Sequence, residues 1–270
     1  MWDFHSHILP FIDDGAKNIE EFIEMSKIAA NEGITKMFAT PHYIPNGNEI
    51  SREELLNLVD RANDCLKKEN IPLKILPAME VYADWGILEG IDKGEILTLN
   101  KSRYILVELP MVEIPDYIEE LFFELKLRDL TPIIAHPERN LQIQEKPRIL
   151  MKWVKRGVLI QINTGSLMGL FGSRAQKTAR FLLRNCLVHI LGTDAHSSNH
   201  RPPSMKKAIK LVKRLRNEKQ TKLILKEYPR RIFENQPIKA MENIDKGCII
   251  RNYLLQLSIE ARGRFSCFQK

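Results

Sequence analysis

The residues of this chain that could do chemistry are imidazoles and carboxylates. Two histidines stand one residue apart in MWDFHSHILPFIDDGAKN, and two aspartates, Asp13 and Asp14, follow them. Alternation over residues 2–9 reads as a strand, on which positions i and i+2 share a face. His5 and His7 then project together, and two neutral imidazoles on one face make half of a metal site. Further donors recur just after apolar stretches. His42 follows MFATP, Glu80 follows ILPAM, Glu108 follows YILV, His136 follows TPIIA, and Asp194 and His196 follow HILGT. Imidazoles mixed with carboxylates, with no thiolate beside them, suit Mn, Fe or Zn better than Ca or a structural cysteine-zinc site. Several carboxylates can bridge neighbouring ions, and clusters of two or three ions favour hydrolysis of phosphate esters.

The elements that must carry these donors alternate in type. Residues 36–40, 74–77, 104–108, 132–135, 158–162 and 188–192 read as short buried strands. Helical patterns lie between them at 19–31, 52–68, 115–127, 147–156, 174–184 and 205–216. Asn18 with Glu21, and Ser51 with Glu54, stand in capping-box positions. Gly33 and Gly157 follow helices where a terminal glycine is expected. Strand–helix repetition with short connections implies parallel strands and an α/β fold. Counting the first strand there are seven units, which predicts a barrel rather than an open sheet. In such barrels the C-terminal strand ends form one face where active sites assemble. A surface glutamate alone would be unremarked, but six strand ends delivering His, Glu or Asp to one rim predict a polynuclear metal site. No GxGxxG follows a strand, so no dinucleotide site is expected.

Composition narrows the classes. The 270 residues are 44% hydrophobic, enough for a sizeable core. No apolar run reaches the roughly 18 residues that span a bilayer, and the first residues lack the basic segment and apolar stretch of a secretory signal. The expectation is a cytoplasmic protein. The four cysteines, Cys65, Cys186, Cys248 and Cys267, form no CxxC pair, and their scatter argues against a zinc knuckle or disulfide scaffold. Cys65 and Cys186 fall in helical patterns as small core residues. The net charge of +7 owes much to residues 206–226 and to the tail from Lys239. The former reads as a solvated helix face, and no aromatic-interleaved basic stripe points to nucleic acid. His189, inside the last strand, reads as a hydrogen-bonded core histidine, and His200 as an exposed one. The strand–helix pattern ends near residue 237. Residues 238–270, with a helical pattern at 249–261, read as an appendage to a catalytic domain spanning 1–237.

Taken together, HSH, ATPHY, the Glu80 strand, IIAHPERN and GTDAHS resemble the PHP (polymerase and histidinol phosphatase) superfamily. The fuller run HILPFIDDGAKN, ATPHYIPN, AHPERN, INTGSL and TDAHS is similar to a narrower group within it. These are the manganese-dependent bacterial protein-tyrosine phosphatases of capsule and exopolysaccharide operons. The resemblance covers residues 1 to about 237. It implies a distorted (β/α)7 barrel, two or three Mn2+ ions and dephosphorylation of a cognate tyrosine autokinase tail. By this resemblance His5, His7, Glu80 and Asp194 hold one ion. Glu108 and His136 hold a second, bridged by Glu80. His42, His196 and an aspartate hold a third, Asp14 being preferred because its Asp-Gly step matches the superfamily pattern, with Asp13 the alternative. Arg139 and Arg201 are expected to face the phosphate, since a guanidinium matches its oxygens bidentately; for Arg139 the competing reading is a salt bridge to Glu138. Phe11 departs from the group, which usually carries glycine there.

No Cys-x5-Arg motif is present, so a thiolate nucleophile is not expected. The rival readings are a small-molecule phosphatase such as a histidinol-phosphate phosphatase, a PHP-type nuclease, and a non-catalytic phosphotyrosine-binding module. Substrate preference separates the first from the tyrosine phosphatase, and metal content separates the last. Self-association is left open by the sequence.

Overall fold

The structure, a computed structural model, describes residues 1–45, 47 and 50–241. Among the described residues nine parallel strands form the barrel: β1 (Trp2–Ser6), β2 (Lys36–Ala39), β3 (His42–Tyr43), β4 (Lys74–Pro77), β5 (Glu80–Tyr82), β6 (Tyr104–Glu108), β7 (Thr131–Ala135), β8 (Leu159–Asn163) and β9 (Ile190–Gly192). They form a three-stranded sheet, β1-β2-β4, and a six-stranded sheet, β3-β5-β6-β7-β8-β9. Two of the strands, β3 and β5, lie beyond the expected strands 36–40 and 74–77, each after a short break along the chain. β2 and β3 flank Thr40 and Pro41, and β4 and β5 flank Ala78 and Met79. Proline has no N–H for the ladder, so pairing shifts there. The amides of Ala78 and Glu80 bridge the break by donating to Ala39 O and Pro41 O at 3.0 Å each.

Counting β2 with β3, and β4 with β5, as one position each gives seven positions around a ring. The ring closes where β9 ends beside β1. Asp194 N donates to His5 O at 2.8 Å and His7 N to Ala195 O at 2.9 Å, with Ser6 and Ala195 in a parallel bridge. This is the expected distorted (β/α)7 barrel. The metal-type residues of β1 and of the segment after β9 are therefore neighbours, although nearly the whole chain separates them.

Helices cover the outside. Arg52–Lys68 packs on β4, Ile118–Leu127 on β7 and Ile149–Lys155 on β8. The expected helices 19–31 and 52–68 match the observed bounds. Ser51 and Glu54 make the full reciprocal capping box. At Asn18 only half of it forms, because the Glu21 carboxylate accepts from Lys17 N instead of Asn18 N. Gly33 and Gly157 do take left-handed backbone, at φ 81° and 88°. On Lys206–Leu215 the lysines face solvent while Ala208, Ile209, Leu211 and Val212 are buried, as read for that basic run. Short helices at Gly86–Asp92, Thr164–Met168, Glu218–Lys222 and Tyr228–Phe233 were not signalled by the sequence pattern; most are only a turn or two long, too short to show a period. Cys186 is buried, whereas Cys65 is half-buried against the core. The 249–261 helical pattern and nearly all of the 238–270 appendage lie outside the described residues.

Candidate metal centre

Every sequence-selected donor reaches one end of the barrel. Glu80 occupies the centre. Its Oε2 lies 3.1 Å from His5 Nε2, 3.2 Å from His7 Nε2 and 3.2 Å from His42 Nδ1. Its Oε1 lies 2.9 Å from His136 Nε2. Glu108 stands behind it, 3.6 Å from His136 Nε2 and 3.6 Å from His42 Nδ1. Asp194 Oδ1 lies 3.7 Å from His5 Nε2 and 3.6 Å from His7 Nε2. Asp14 Oδ1 lies 3.2 Å from His196 Nε2 and 3.7 Å from His42 Nε2. Sets of these atoms lie within 4.8 Å of one another: His5, His7 and Glu80; His5, His136 and Asp194; His42, Glu80 and Glu108; and His7, Asp14, His42 and His196. The grouping differs in detail from the one the resemblance implies. Asp194 also serves the His136 side, and His42 is shared between the Glu108 and Asp14 sides.

The donor set fits metal ions on physical grounds. Glu80 Oε2 is buried and has no hydrogen-bond partner, although three imidazole nitrogens lie within 3.2 Å of it. A buried, unpaired carboxylate oxygen is costly, and nitrogens that crowd it without bonding it share a common focus with it. The electrostatics agree. Burial pushes the Glu108 carboxyl up to about 8, and the charges of Glu80 and Asp194 add to the rise. Burial acts the same way on Glu80 and Asp194, but the surrounding imidazoles outweigh it and hold both well below the usual carboxylate range, with Arg201 helping at Asp194. Carboxylates crowded to this degree are relieved by a cation among them.

The two aspartates divide the work that sequence alone left open. Asp13 Oδ2 lies 2.7 Å from His7 Nδ1, and the carboxylate also accepts from Gly15 N and His42 N. It orients His7 and directs Nε2 to the cluster. Asp14 is largely exposed and reaches His196, so the geometry favours Asp14 as the ligand.

Further positioning groups lie on β8, and sequence reasoning passed over them. Gln161 Oε1 accepts from His136 N at 3.1 Å, which fixes it as the oxygen of the carboxamide. The same atom lies 3.2 Å from His5 Nδ1, so that nitrogen carries the proton and Nε2 presents its lone pair. Gln161 Nε2 donates to Asn163 Oδ1, and Asn163 Nδ2 donates to Asp194 Oδ2 at 2.6 Å. Asp194 Oδ1 is left for the cluster. Gly192 makes room for this relay: a Cβ there would stand 2.5 Å from His5 Cβ and 2.7 Å from Gln161 Nε2. The available signal was period two, since Gln161 and Asn163 are polar at i and i+2 in an otherwise apolar strand, as His5 and His7 are.

Arg139 and Arg201 both turn to the centre. Arg139 Nη1 lies 2.8 Å, and Arg201 Nη2 2.6 Å, from Asp194 Oδ2. Both guanidinium groups sit over the Phe171 ring, at 4.5 and 5.3 Å. The competing reading of Arg139 as the partner of Glu138 is not what forms; Glu138 is buried and accepts from Asn163 N. His136 and Asp194 adopt φ 28° and 53°, and Phe11 φ 67°. Positive φ is unfavourable for such side chains, and its presence at two donors places backbone strain at the site. The Phe11 value also gives a physical reason for glycine at that position in the similar group. His200 is exposed. His189 is buried, with Ile160 N donating to Nδ1 and Nε2 facing Ala240 O.

Comparison with known proteins is consistent with this geometry. The chain is 39% identical over 200 residues to the tyrosine-protein phosphatase YwqE of Bacillus subtilis, covering 73% of this chain and 78% of the relative. It is 34% identical to the putative tyrosine-protein phosphatase CapC of Staphylococcus aureus, covering 94% and 96%. A crystal structure described as one of the metal-dependent tyrosine phosphatases YwqE of B. subtilis and CpsB of Streptococcus pneumoniae superposes with a TM-score of 0.84 at 34% identity, covering 88% and 96%. A histidinol phosphate phosphatase from Lactococcus lactis, solved with zinc, histidinol and phosphate, matches with a TM-score of 0.50 at 14% identity; that likeness concerns the fold alone. Residues 1–234 match the model of the capsular polysaccharide synthesis family CpsB/CapC, and the chain belongs to that family.

Proposed function

We propose that this chain is a metal-dependent protein-tyrosine phosphatase that hydrolyses phosphotyrosine on a cognate bacterial tyrosine autokinase controlling capsule or exopolysaccharide synthesis. The observation that carries the reading is the convergence of nine donor residues, His5, His7, Asp14, His42, Glu80, Glu108, His136, Asp194 and His196, with two arginines sharing one oxygen of Asp194. The donor chemistry suits two or three Mn2+ ions, with Fe or Zn as substitutes. Ions held there supply Lewis acidity and an activated water at neutral pH. The residues of the chain do the rest. Glu80 links the imidazole groups, Asp13 and Gln161 hold His7 and His5 in the ligating tautomer, and Arg139 and Arg201 bind the phosphoryl oxygens as charge builds on them. A phenolate leaves with a pKa of about 10, so its departure asks little of a general acid.

The cleft beside the cluster supports a large substrate. It encloses about 1030 Å3 and is lined by Phe11, Asp13, Asp14, His42, Leu58 and Arg61, among others. Among the described residues no helix is long and apolar enough to cross a membrane, and a cytoplasmic location is part of the proposal. The deciding experiment measures specificity constants on phosphotyrosine peptide, phosphoserine peptide and histidinol phosphate, with Mn2+ and after chelation. Chelator-sensitive preference for phosphotyrosine supports the reading. Preference for histidinol phosphate would replace the substrate and keep the metal centre; full activity without metal would overturn both.

A further inference from the structure

Large apolar side chains are exposed on the outer helices, as at Ile19, Phe123 and Leu127, but six others stand in series after the strands. Phe11 follows β1, Ile44 follows β3, Trp85 follows β5, Val112 follows β6, Leu141 follows β7 and Leu170 follows β8. All six are between 40 and 72% exposed. Six consecutive ring positions thus lift an apolar side chain on the barrel face that carries the metal-type residues. Isolated exposed apolar residues need no explanation, but a ring of them around one site does.

A bulky apolar residue is even strained at one of these positions. Phe11 takes φ 67°, unfavourable for a bulky residue, and its ring gains little burial in return. The rim is also held in place before any partner arrives. Leu141 N donates to Met111 O at 2.9 Å and Gln142 N to Val112 O at 3.2 Å, tying the loop after β6 to the segment after β7. The Trp85 ring lies 5.5 Å from that of Tyr117, whose hydroxyl donates to Ala83 O. Preordered apolar and aromatic groups bind with little ordering cost.

We infer that this rim is a docking surface for the polypeptide flanking the phosphotyrosine, so that the enzyme recognises apolar side chains of a protein segment as well as its phosphate. The inference rests on the phosphatase reading above. The occupant follows from continuity with the site: Phe11 and Ile44 line the same cleft as Asp14 and His42. A chain whose phosphate reaches the metal centre must pass over the rim, whereas a small metabolite would leave most of the ring untouched.

The test compares wild type with the triple variant Val112→Ser, Leu141→Ser, Leu170→Ser, all at exposed positions where folding tolerates change. Substrates are a long phosphotyrosine peptide and p-nitrophenyl phosphate, each assayed with Mn2+. The ratio of the two specificity constants should fall about tenfold, chiefly through KM for the peptide. An equal loss on both substrates, or no loss on either, would overturn the rim. Sedimentation of both proteins completes the test: a wild-type dimer that the variant loses would assign the face to self-association instead. Failure of wild type on every phosphotyrosine substrate would strike the proposed function itself, a different outcome from an unchanged ratio.

Discussion

Asp13 Oδ2 lies 2.7 Å from His7 Nδ1, whereas the neighbouring Asp14 turns its Oδ1 to His196. Two adjacent carboxylates thus serve different purposes, one orienting an imidazole and the other facing the cluster. Asp14→Asn should lower the number of ions bound per chain. Asp13→Asn should keep that number and weaken affinity by roughly 10–100-fold, the usual cost of losing a carboxylate that orients a ligating histidine. Elemental analysis together with chelator competition distinguishes them; equal metal loss in both variants would contradict the division.

The arginines give the converse pattern. Arg139→Ala and Arg201→Ala should keep the full complement of ions, because neither side chain is a donor. Each should lose on the order of 10²–10³ in kcat/KM by removing stabilisation of phosphoryl charge. Since both contact the same oxygen of Asp194, the double variant should cost less than the product of the single losses. Inhibition by inorganic phosphate should weaken in parallel, and unchanged phosphate affinity would remove the arginines from substrate binding.

Gln161→Leu should strip the acceptor from His136 N and His5 Nδ1. Leaving such buried donors unpaired costs about 1–3 kcal/mol, so the metal-free protein should melt earlier and hold its ions less tightly. Gly192→Ala should do comparable damage, because its Cβ would overlap His5 and Gln161; overpacking of this kind costs about 1–3 kcal/mol. Thermal melts of chelated protein and metal-release rates provide the readings. A Gly192→Ala variant with unaltered melting would show that the barrel yields there.

His189 makes a pH-dependent contribution that can be isolated. Burial lowers its pKa from 6.5 to about 4, and Ile160 N already donates to Nδ1, so a second ring proton has no acceptor there. Between those two values the unfolded chain binds a proton that the folded chain does not, so stability rises with pH across that window. On acidification from 6.5 to 4 the wild type should lose roughly 3 kcal/mol relative to His189→Gln. Denaturant titrations of both proteins at several pH values measure the gap; a gap that stays constant with pH would refute the assignment.

The amino-acid sequence determined the donors and the elements that carry them. His5 and His7 declare themselves by period two, a local property of any strand. The apolar runs before Glu108 and His136 mark strands because buried parallel strands are apolar on both faces. Ser51 and Glu54 announce a helix start through bonds made within three residues. What the sequence could not decide depends on distances between segments far apart along the chain. Asp13 and Asp14 differ only in which imidazole each meets, and that follows from how the loop after β1 folds beside β3 and the segment after β9. Gln161 and Asn163 acquire meaning only when closure of the barrel sets β8 across from β1 and beside Asp194. Beyond the breaks at Pro41 and after Pro77 the structure adds two short strands that the pattern does not mark, and these set His42 and Glu80 at strand starts. Local chemistry is written in short spacings, whereas the geometry that selects one oxygen over its neighbour exists only once the ring has closed.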